Sequence, residues 1–306
     1  MRIVVHGQQA FGEAVLQRLI ERGEDIVAVC TAPDKEGRPV DPVKELALAN
    51  GLPVHQPVSW KTPEALELMQ SFDADLCVMA YVLLFIPQAV LDAPKLGSFQ
   101  YHPSLLPMHR GPSSINWPIA MGATRTGLTI FWPDEGLDEG PVLMQKECDI
   151  GADETLGDIY FKKLFPMGVD AMIESLDLVK AGSAPKQVQN LDQGSYESWF
   201  GKAQAEIDWR KPAVQIYNTI RAANPQPAAW SSVGDVTLQI FDCRLVDTVA
   251  GDAGVVTEVN EDGFIVAAGD TAGVQISRVR PAGEGKITAA EYLASSGLKV
   301  GDRLGV

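Results

Sequence analysis

Ile3-Val4-Val5-His6-Gly7-Gln8-Gln9-Ala10-Phe11-Gly12 decides the fold class. A short β-branched run stops at Gly7, and behind it Phe11, Val15, Leu16, Leu19 and Ile20 recur at helical spacing until Gly23. Ile26 to Cys30 then supplies a second strand, so the opening is a strand–turn–helix–strand unit. The turn is similar to a nucleotide-binding turn but lacks the middle glycine of G-x-G-x-x-G. A pyrophosphate then has no close approach to the backbone, so the glycines read as a tight entry into the helix and no NAD is expected.

The alternation continues to about residue 180. A loop runs from Thr31 to Asp34; helices are expected over Val43 to Ala49 and over Pro63 to Ser71, the latter with proline in its first turn. Strands are expected over Ala74 to Ala80, Ser98 to His102, Gly127 to Trp132 and Val142 to Cys148, with a long helix starting at Asp153-Glu154-Thr155 and reaching about Lys180. Strands joined by crossover helices imply an α/β, Rossmann-like, mostly parallel sheet covered on both faces. Residues 183–206 lose this pattern to Gly, Ser, Pro, Gln and Asp and read as a linker. From Ile207 a short helix (Val214 to Ala222) precedes strands at Val236 to Val246, Gly254 to Val259, Gly263 to Ala267 and Val274 to Val279, a small antiparallel, OB-like barrel. The expected organisation is therefore 1–182, a linker over 183–206, and 207–306.

The 306 residues carry 25 basic and 40 acidic side chains, a net charge of −15. That field disfavours broad binding to nucleic acid or to anionic membranes. Cys30, Cys77, Cys148 and Cys243 are far apart and read as reduced, structural thiols with no metal site among them. The longest apolar run, Leu76 to Ile86, has 11 residues, against roughly 20 for a membrane span. With no signal-peptide pattern at the N-terminus, a cytoplasmic protein is expected.

Two stretches carry candidate chemistry. In Gln100-Tyr101-His102-Pro103-Ser104-Leu105-Leu106-Pro107-Met108-His109-Arg110-Gly111, Gln100 and His102 are two apart on a strand and share a face. His102 ends that strand, where open α/β sheets place their ligand crevice; alone, such a histidine is equally a ligand group or a satisfied structural one. In Phe131-Trp132-Pro133-Asp134-Glu135-Gly136-Leu137-Asp138-Glu139-Gly140, four carboxylates share one loop. Asp134, Glu135 and Glu139 read as a solvated acidic turn, while Asp138, between Leu137 and Gly140 and just ahead of a buried strand, is the one expected to point inward.

Taken together, these stretches resemble the 10-formyltetrahydrofolate-dependent formyltransferases and hydrolases, and especially the N-terminal hydrolase domain of 10-formyltetrahydrofolate dehydrogenase. The resemblance continues through Ile115-Asn116-Trp117, Gln145-Lys146-Glu147-Cys148, Leu164-Phe165-Pro166, Ile207-Asp208-Trp209, Asn218-Thr219-Ile220-Arg221 and Asn224 to Trp230, nearly the whole chain. No aldehyde dehydrogenase segment follows within these residues, so the dehydrogenase reaction is not expected.

The resemblance implies that His102 and Asp138 are catalytic, and that Leu84-Phe85-Ile86 and Ser104-Leu105-Leu106-Pro107 contact the folate. It implies 10-formyltetrahydrofolate as co-substrate, with no metal and no nicotinamide. Formyl transfer passes through a tetrahedral intermediate and needs an oxyanion donor, a proton for the leaving amine and a base for the nucleophile. His102 suits the first two needs and Asp138 the third. Two positions depart from the family pattern. Gln100 stands where formyltransferases carry Asn and the hydrolase domain an aliphatic residue, and its amide can also donate to an oxyanion. Glu139 stands where Thr is usual and adds negative charge beside Asp138.

For the acceptor, water or a small amine or carrier-bound group is expected. A nucleotide-sugar amine would be one variant. Transfer to methionyl-tRNA is disfavoured, because residues 207–306 carry 9 basic and 12 acidic side chains, a net of 9 − 12 = −3, and only Asp34 to Pro39 occupies the place of a longer basic insertion. A folate-binding protein without turnover is the remaining alternative.

Overall fold

The computed structural model describes residues 1–305. Contacts divide the chain into two compact units that interleave along the sequence: Met1–Gly111, Gly127–Cys148 and Lys163–Tyr196 in one, Pro112–Thr126, Asp149–Lys162 and Glu197–Val306 in the other.

The first unit is built on β1 (Arg2–Gly7), α1 (Gln9–Glu21), β2 (Asp25–Cys30), α2 (Pro42–Ala49), β3 (Val54–His55), α3 (Pro63–Ser71), β4 (Leu76–Ala80), α4 (Gln88–Leu91) and β5 (Ser98–His102). After α5 (Asn116–Ala120), β6 (Arg125–Phe131) and β7 (Val142–Asp149) complete a seven-stranded sheet in the order β3-β2-β1-β4-β5-β6-β7. β1 to β5 are parallel to their neighbours, and β6 is antiparallel to β5. β1 is buried from Ile3 onward, as a parallel strand covered on both faces must be. Val4, Ala28, Cys30, Cys77 and Met79 face α3, Trp60 and Phe72. The alternate residues Ile3 and Val5 point the other way, towards α1, whose Phe11, Val15, Leu16 and Leu19 are buried. Asp41 and Thr62 cap α2 and α3, each with proline in the first turn.

The glycines of the first turn serve packing, as the sequence suggests. A Cβ on Gly7 would lie 2.6 Å from the Ala80 carbonyl oxygen, and one on Gly12 would lie 2.9 Å from Val43 Cγ2. The backbone N–H of Gln9, at the start of α1, donates to both oxygens of Asp41, at 3.1 and 3.0 Å. A protein carboxylate thus occupies the N–H that a phosphate takes in dinucleotide-binding turns.

The long helix expected from residue 153 to 180 is interrupted. α6 (Leu156–Ile159) starts from Thr155 in a capping box with Asp158, passes through a π turn at Tyr160–Leu164 and resumes as α7 (Phe165–Lys180). Proline at 166 sits in the first turn of α7, where its missing N–H breaks the regular ladder.

The second unit holds α8 (Ala213–Ala223) and an antiparallel sheet of β8 (Ala229–Val233), β9 (Val236–Val246), β10 (Val256–Asn260), β11 (Gly263–Ala267) and β12 (Gly273–Pro281), ordered β10-β11-β12-β9-β8. β13 (Ile287–Thr288) pairs with β12 and leads into α9 (Ala289–Ser296). The two edges are joined by the C-terminal segment, where Arg303 bridges Val255 beside β10 and Leu304 bridges Val233 of β8. That segment closes the sheet and removes its open edges. The buried Arg221 of α8 donates to the carbonyl oxygens of Gly151 (3.2 Å) and Glu154 (2.8 Å) and to Asn218 (2.7 Å). Among the described residues no helix is long and apolar enough to cross a membrane.

Candidate functional site

β5 divides its side chains between core and site. Tyr101 points into the core, where its ring stacks on Phe11 at 4.3 Å, and Phe11 meets Phe165 edge-on at 5.5 Å. Gly168 makes room for this stack, since a Cβ there would lie 2.7 Å from Tyr101 and 2.9 Å from Phe11. With Tyr101 anchored, alternation puts Gln100 and His102 together on the opposite face. Gln100 is half-buried, opposite Phe131 in the register, and His102 is buried opposite Thr129.

His102 Nε2 lies 3.0 Å from the carbonyl oxygen of His109. A carbonyl only accepts, so in this bond Nε2 carries the proton. Nδ1 is then the nitrogen facing Asp138, 3.7 Å from Oδ2. The structure therefore brings together the histidine and the aspartate that the sequence singled out, with the imidazole oriented by a backbone group.

The loop between them is held from several directions. Thr129 Oγ1 donates to the Ser104 carbonyl (2.7 Å) and accepts from Leu106 N (3.0 Å). Gln145 Nε2 donates to the Leu106 carbonyl (2.8 Å) and to Thr129 Oγ1 (2.9 Å). The Ser104 hydroxyl donates to the Met108 carbonyl at 2.6 Å. Ser104 and Leu106 are buried in this network, whereas Leu105 and Pro107 are half-buried. Ser195, within the stretch read as a linker, accepts from His109 N through its hydroxyl (2.9 Å), donates its own N–H to the Pro107 carbonyl (3.1 Å) and accepts from Arg110 N (3.0 Å).

Asp138 adopts a left-handed backbone, φ +58°, a conformation that Asp and Asn tolerate best after glycine. Its Oδ2 accepts from Gly111 N at 2.9 Å. Gln189 Nε2 donates to the carbonyls of Asp138 (3.0 Å) and Gly140 (2.7 Å). Gly140 allows the loop to close, since a Cβ there would sit 1.8 Å from the Trp132 carbonyl oxygen. Glu139 differs from the solvated acidic residue expected, because its carboxylate is paired with Arg110. The negative charge it brings beside Asp138 is thereby balanced by a guanidinium.

The apolar loop after β4 divides. Leu84 and Phe85 are 40% and 59% exposed, while Ile86 is 7% exposed and packs with Trp60, Val90 and Leu91 in the core. The Lys61 ammonium lies 5.1 Å from the Phe85 ring centroid. Leu84 and Phe85 are thus available to a ligand in a way that core side chains are not. Four non-glycine residues with positive φ belong to these segments: Gln9 after β1, Tyr81 after β4, His109 and Asp138. Backbone strain of this kind collects at functional sites. No group of three or more potential metal ligands occurs among the described residues.

A formyl transferase family model matches residues 1–176, and a model of the formyl transferase C-terminal domain matches residues 200–297. The chain belongs to the formyl transferase family. It is 41% identical over 251 residues to the cytosolic 10-formyltetrahydrofolate dehydrogenase of Xenopus tropicalis, covering 80% of this chain and 28% of that protein. It thus spans less than a third of such dehydrogenases. It is also 33% identical to the methionyl-tRNA formyltransferase of Clostridioides difficile across the whole of both chains. Among solved structures, the fold is shared with an N-formyltransferase from Helicobacter canadensis in complex with folinic acid and dTDP-3-aminofucose (TM-score 0.70, 19% identity, 91% of this chain and 99% of that one). It is shared as well with HypX from Aquifex aeolicus in complex with tetrahydrofolic acid (TM-score 0.67, 19% identity, 98% and 48%).

The residues missed by sequence reading are Arg110, Thr129, Gln145, Gln189 and Ser195. Arg110 and Gln145 lie inside motifs quoted above, but nothing local reveals their partners. Gln189 and Ser195 sit in a stretch whose composition resembles a linker, and only their hydrogen bonds across 51 and 86 residues disclose their place.

Proposed function

We propose that the chain moves the formyl group of 10-formyltetrahydrofolate to water, giving tetrahydrofolate and formate, or to a small amine or carrier-bound acceptor. The observation that carries this reading is the buried His102 facing Asp138 with its other ring nitrogen fixed on a carbonyl. The pterin rests against Leu84 and Phe85, with Ile86 and the Ser104–Pro107 loop shaping the pocket. The nucleophile forms its bond to the formyl carbon while the His102–Asp138 pair takes its proton. The free amide of Gln100 donates to the oxyanion, and the C–N10 bond breaks as the folate nitrogen receives the proton back through His102. The resemblance to dehydrogenase hydrolase domains and the acidic 207–306 segment favour water or a small acceptor over tRNA.

A second reading, methionyl-tRNA formyl transfer, has one observation of its own besides end-to-end similarity to a protein of that name. On the C-terminal sheet the Lys286 ammonium lies 3.7 Å and the Arg280 guanidinium 5.6 Å from the Phe241 ring centroid. Burial and the nearby Arg280 and Arg278 lower the Lys286 pKa while Asp242, 3.9 Å from Arg278, opposes them, so three basic side chains share this face with one carboxylate. Purified protein incubated with 10-formyltetrahydrofolate separates the readings. Formate and tetrahydrofolate without any acceptor support the hydrolase, appearance of product only with an amine supports a small-molecule transferase, and appearance only with methionyl-tRNA supports the second reading. No product under any of these conditions overturns both.

A further inference from the structure

The loop after β5 offers three consecutive residues to three different partners. The His109 carbonyl receives His102 Nε2, the Arg110 guanidinium pairs with Glu139, and Gly111 N donates to Asp138 Oδ2. On the opposing loop, Asp138 and Glu139 are likewise consecutive. Two neighbouring residues on one segment therefore grip two neighbouring residues on the other. The histidine of the site hangs from the same segment. The Arg110 side chain is only 14% exposed and the Glu139 side chain 36%. Arg110 is further fixed through its backbone N–H, which donates to the Ser195 carbonyl at 3.0 Å.

We infer that the Arg110–Glu139 pair is a positioning device for the reaction, setting where the Asp138 carboxylate stands relative to His102. The proposal rests on the reading of His102 and Asp138 as the reacting pair. Two features make a surface ornament an inadequate description. Asp138 holds a left-handed backbone, φ +58°, of the kind that collects at functional sites. Gly111 N holds the Asp138 carboxylate and Gln189 holds the backbone through the Asp138 and Gly140 carbonyls, while the ion pair one residue further along ties the Asp138 loop to the segment that carries the Gly111 donor. Displacements of about 1 Å in a reacting group cost on the order of 100-fold in rate, so a clamp at this point bears on kcat. Arg110 and Glu139 touch neither reacting atom, so their action is through Asp138.

The test is a double-mutant cycle in kcat, with KM for 10-formyltetrahydrofolate and the melting temperature read alongside. Glu139→Gln and Arg110→Met are each expected to lower kcat about 10- to 100-fold with KM changed less than about 2-fold. The double variant should be no worse than Arg110→Met, because both single variants remove the ion pair and Arg110→Met additionally loses the Nε donation to the Ser195 carbonyl (3.4 Å). Arg110→Lys, which keeps the charge without the fork, should recover part of the loss. Asp138→Asn is run in parallel. If it is inactive while Glu139→Gln and Arg110→Met turn over within 2-fold of the parent, the positioning role is overturned and the reading of the site stands. If Asp138→Asn keeps full turnover, the reading of the site itself fails. A fall in melting temperature with kcat unchanged would leave the pair a structural contact and also overturn the proposal.

Discussion

His6 and His102 stand at the ends of two parallel strands, β1 and β5, and both are buried, at 4% and 6% exposure. Their surroundings differ completely. His6 packs against Trp60, with ring centroids 4.9 Å apart, and makes no ion pair among the described residues. Burial alone pushes its pKa down to about 4, so the ring is neutral in the folded protein near pH 7. His102 has one nitrogen fixed on the His109 carbonyl and the other 3.7 Å from Asp138. Position at a strand end and burial are common to both, so neither property makes a histidine chemical. A carbonyl that fixes the tautomer and a carboxylate opposite the second nitrogen set His102 apart, and the proposed function rests on them.

The contrast can be broken by exchanging the two roles. His102→Asn is expected to reduce turnover of 10-formyltetrahydrofolate by about 1,000-fold or more, since removing a member of a proton-transferring pair has effects of that order. His6→Asn should leave kcat per folded molecule within about 2-fold. Comparable losses in the two variants, measured by tetrahydrofolate release, would erase the distinction.

Gln100 sharpens the comparison, because it shares the face of His102 and no protein group takes its amide among the described residues. Gln100→Leu should lower kcat about 100-fold with little change in KM, the size found for a lost oxyanion donor. An effect confined to KM would move Gln100 from the reaction to binding.

His6 should be visible in stability instead. Its folded pKa lies below that of the unfolded chain, so the unfolded state binds the extra proton. The associated stability is fully present above about pH 6.5 and is lost as pH falls towards 4, by up to about 3 kcal/mol. Denaturant unfolding at pH 7, 6 and 5 should show this acid limb in the parent and a shallower one in His6→Asn. Equal slopes would place the acid sensitivity elsewhere.

The smallest effect belongs to the loop after β4. Phe85→Ala, at a side chain 59% exposed, should raise KM for the folate several-fold with kcat kept. Ile86→Ala, in the core, should instead cost about 2–4 kcal/mol of stability.

Much of the fold was legible because hydrophobic period and turn residues are local signals. Ser98–His102, Gly263–Ala267 and Val236–Val246 coincide with the strands observed. β3, with two residues, is too short to show a period, and α4 and α5 are single turns. α9 did have a local sign: Thr288 and Glu291 form a capping box that the sequence pattern Thr-x-x-Glu announces. At the site, the shared face of Gln100 and His102 follows from the strand period, and Asp138 from its flanking residues. The pairing of Arg110 with Glu139, the Gln189 bonds to the Asp138 loop and the approach of Ser195 were not legible. They arise from segments 29 to 86 residues apart that only the folded chain brings together.

The most direct test of the central claim is a single-turnover measurement of formyl loss from 10-formyltetrahydrofolate, comparing the parent with Asp138→Asn at matched folded concentration. The substitution keeps the shape of the side chain and, through its oxygen, the bond from Gly111 N, while removing the charge that faces His102. A fall in the rate of bond breaking of about 1,000-fold with folate binding retained is the result expected. An unchanged rate would show that the carboxylate opposite His102 does no chemistry, and the distinction between the two histidines would lose its functional meaning.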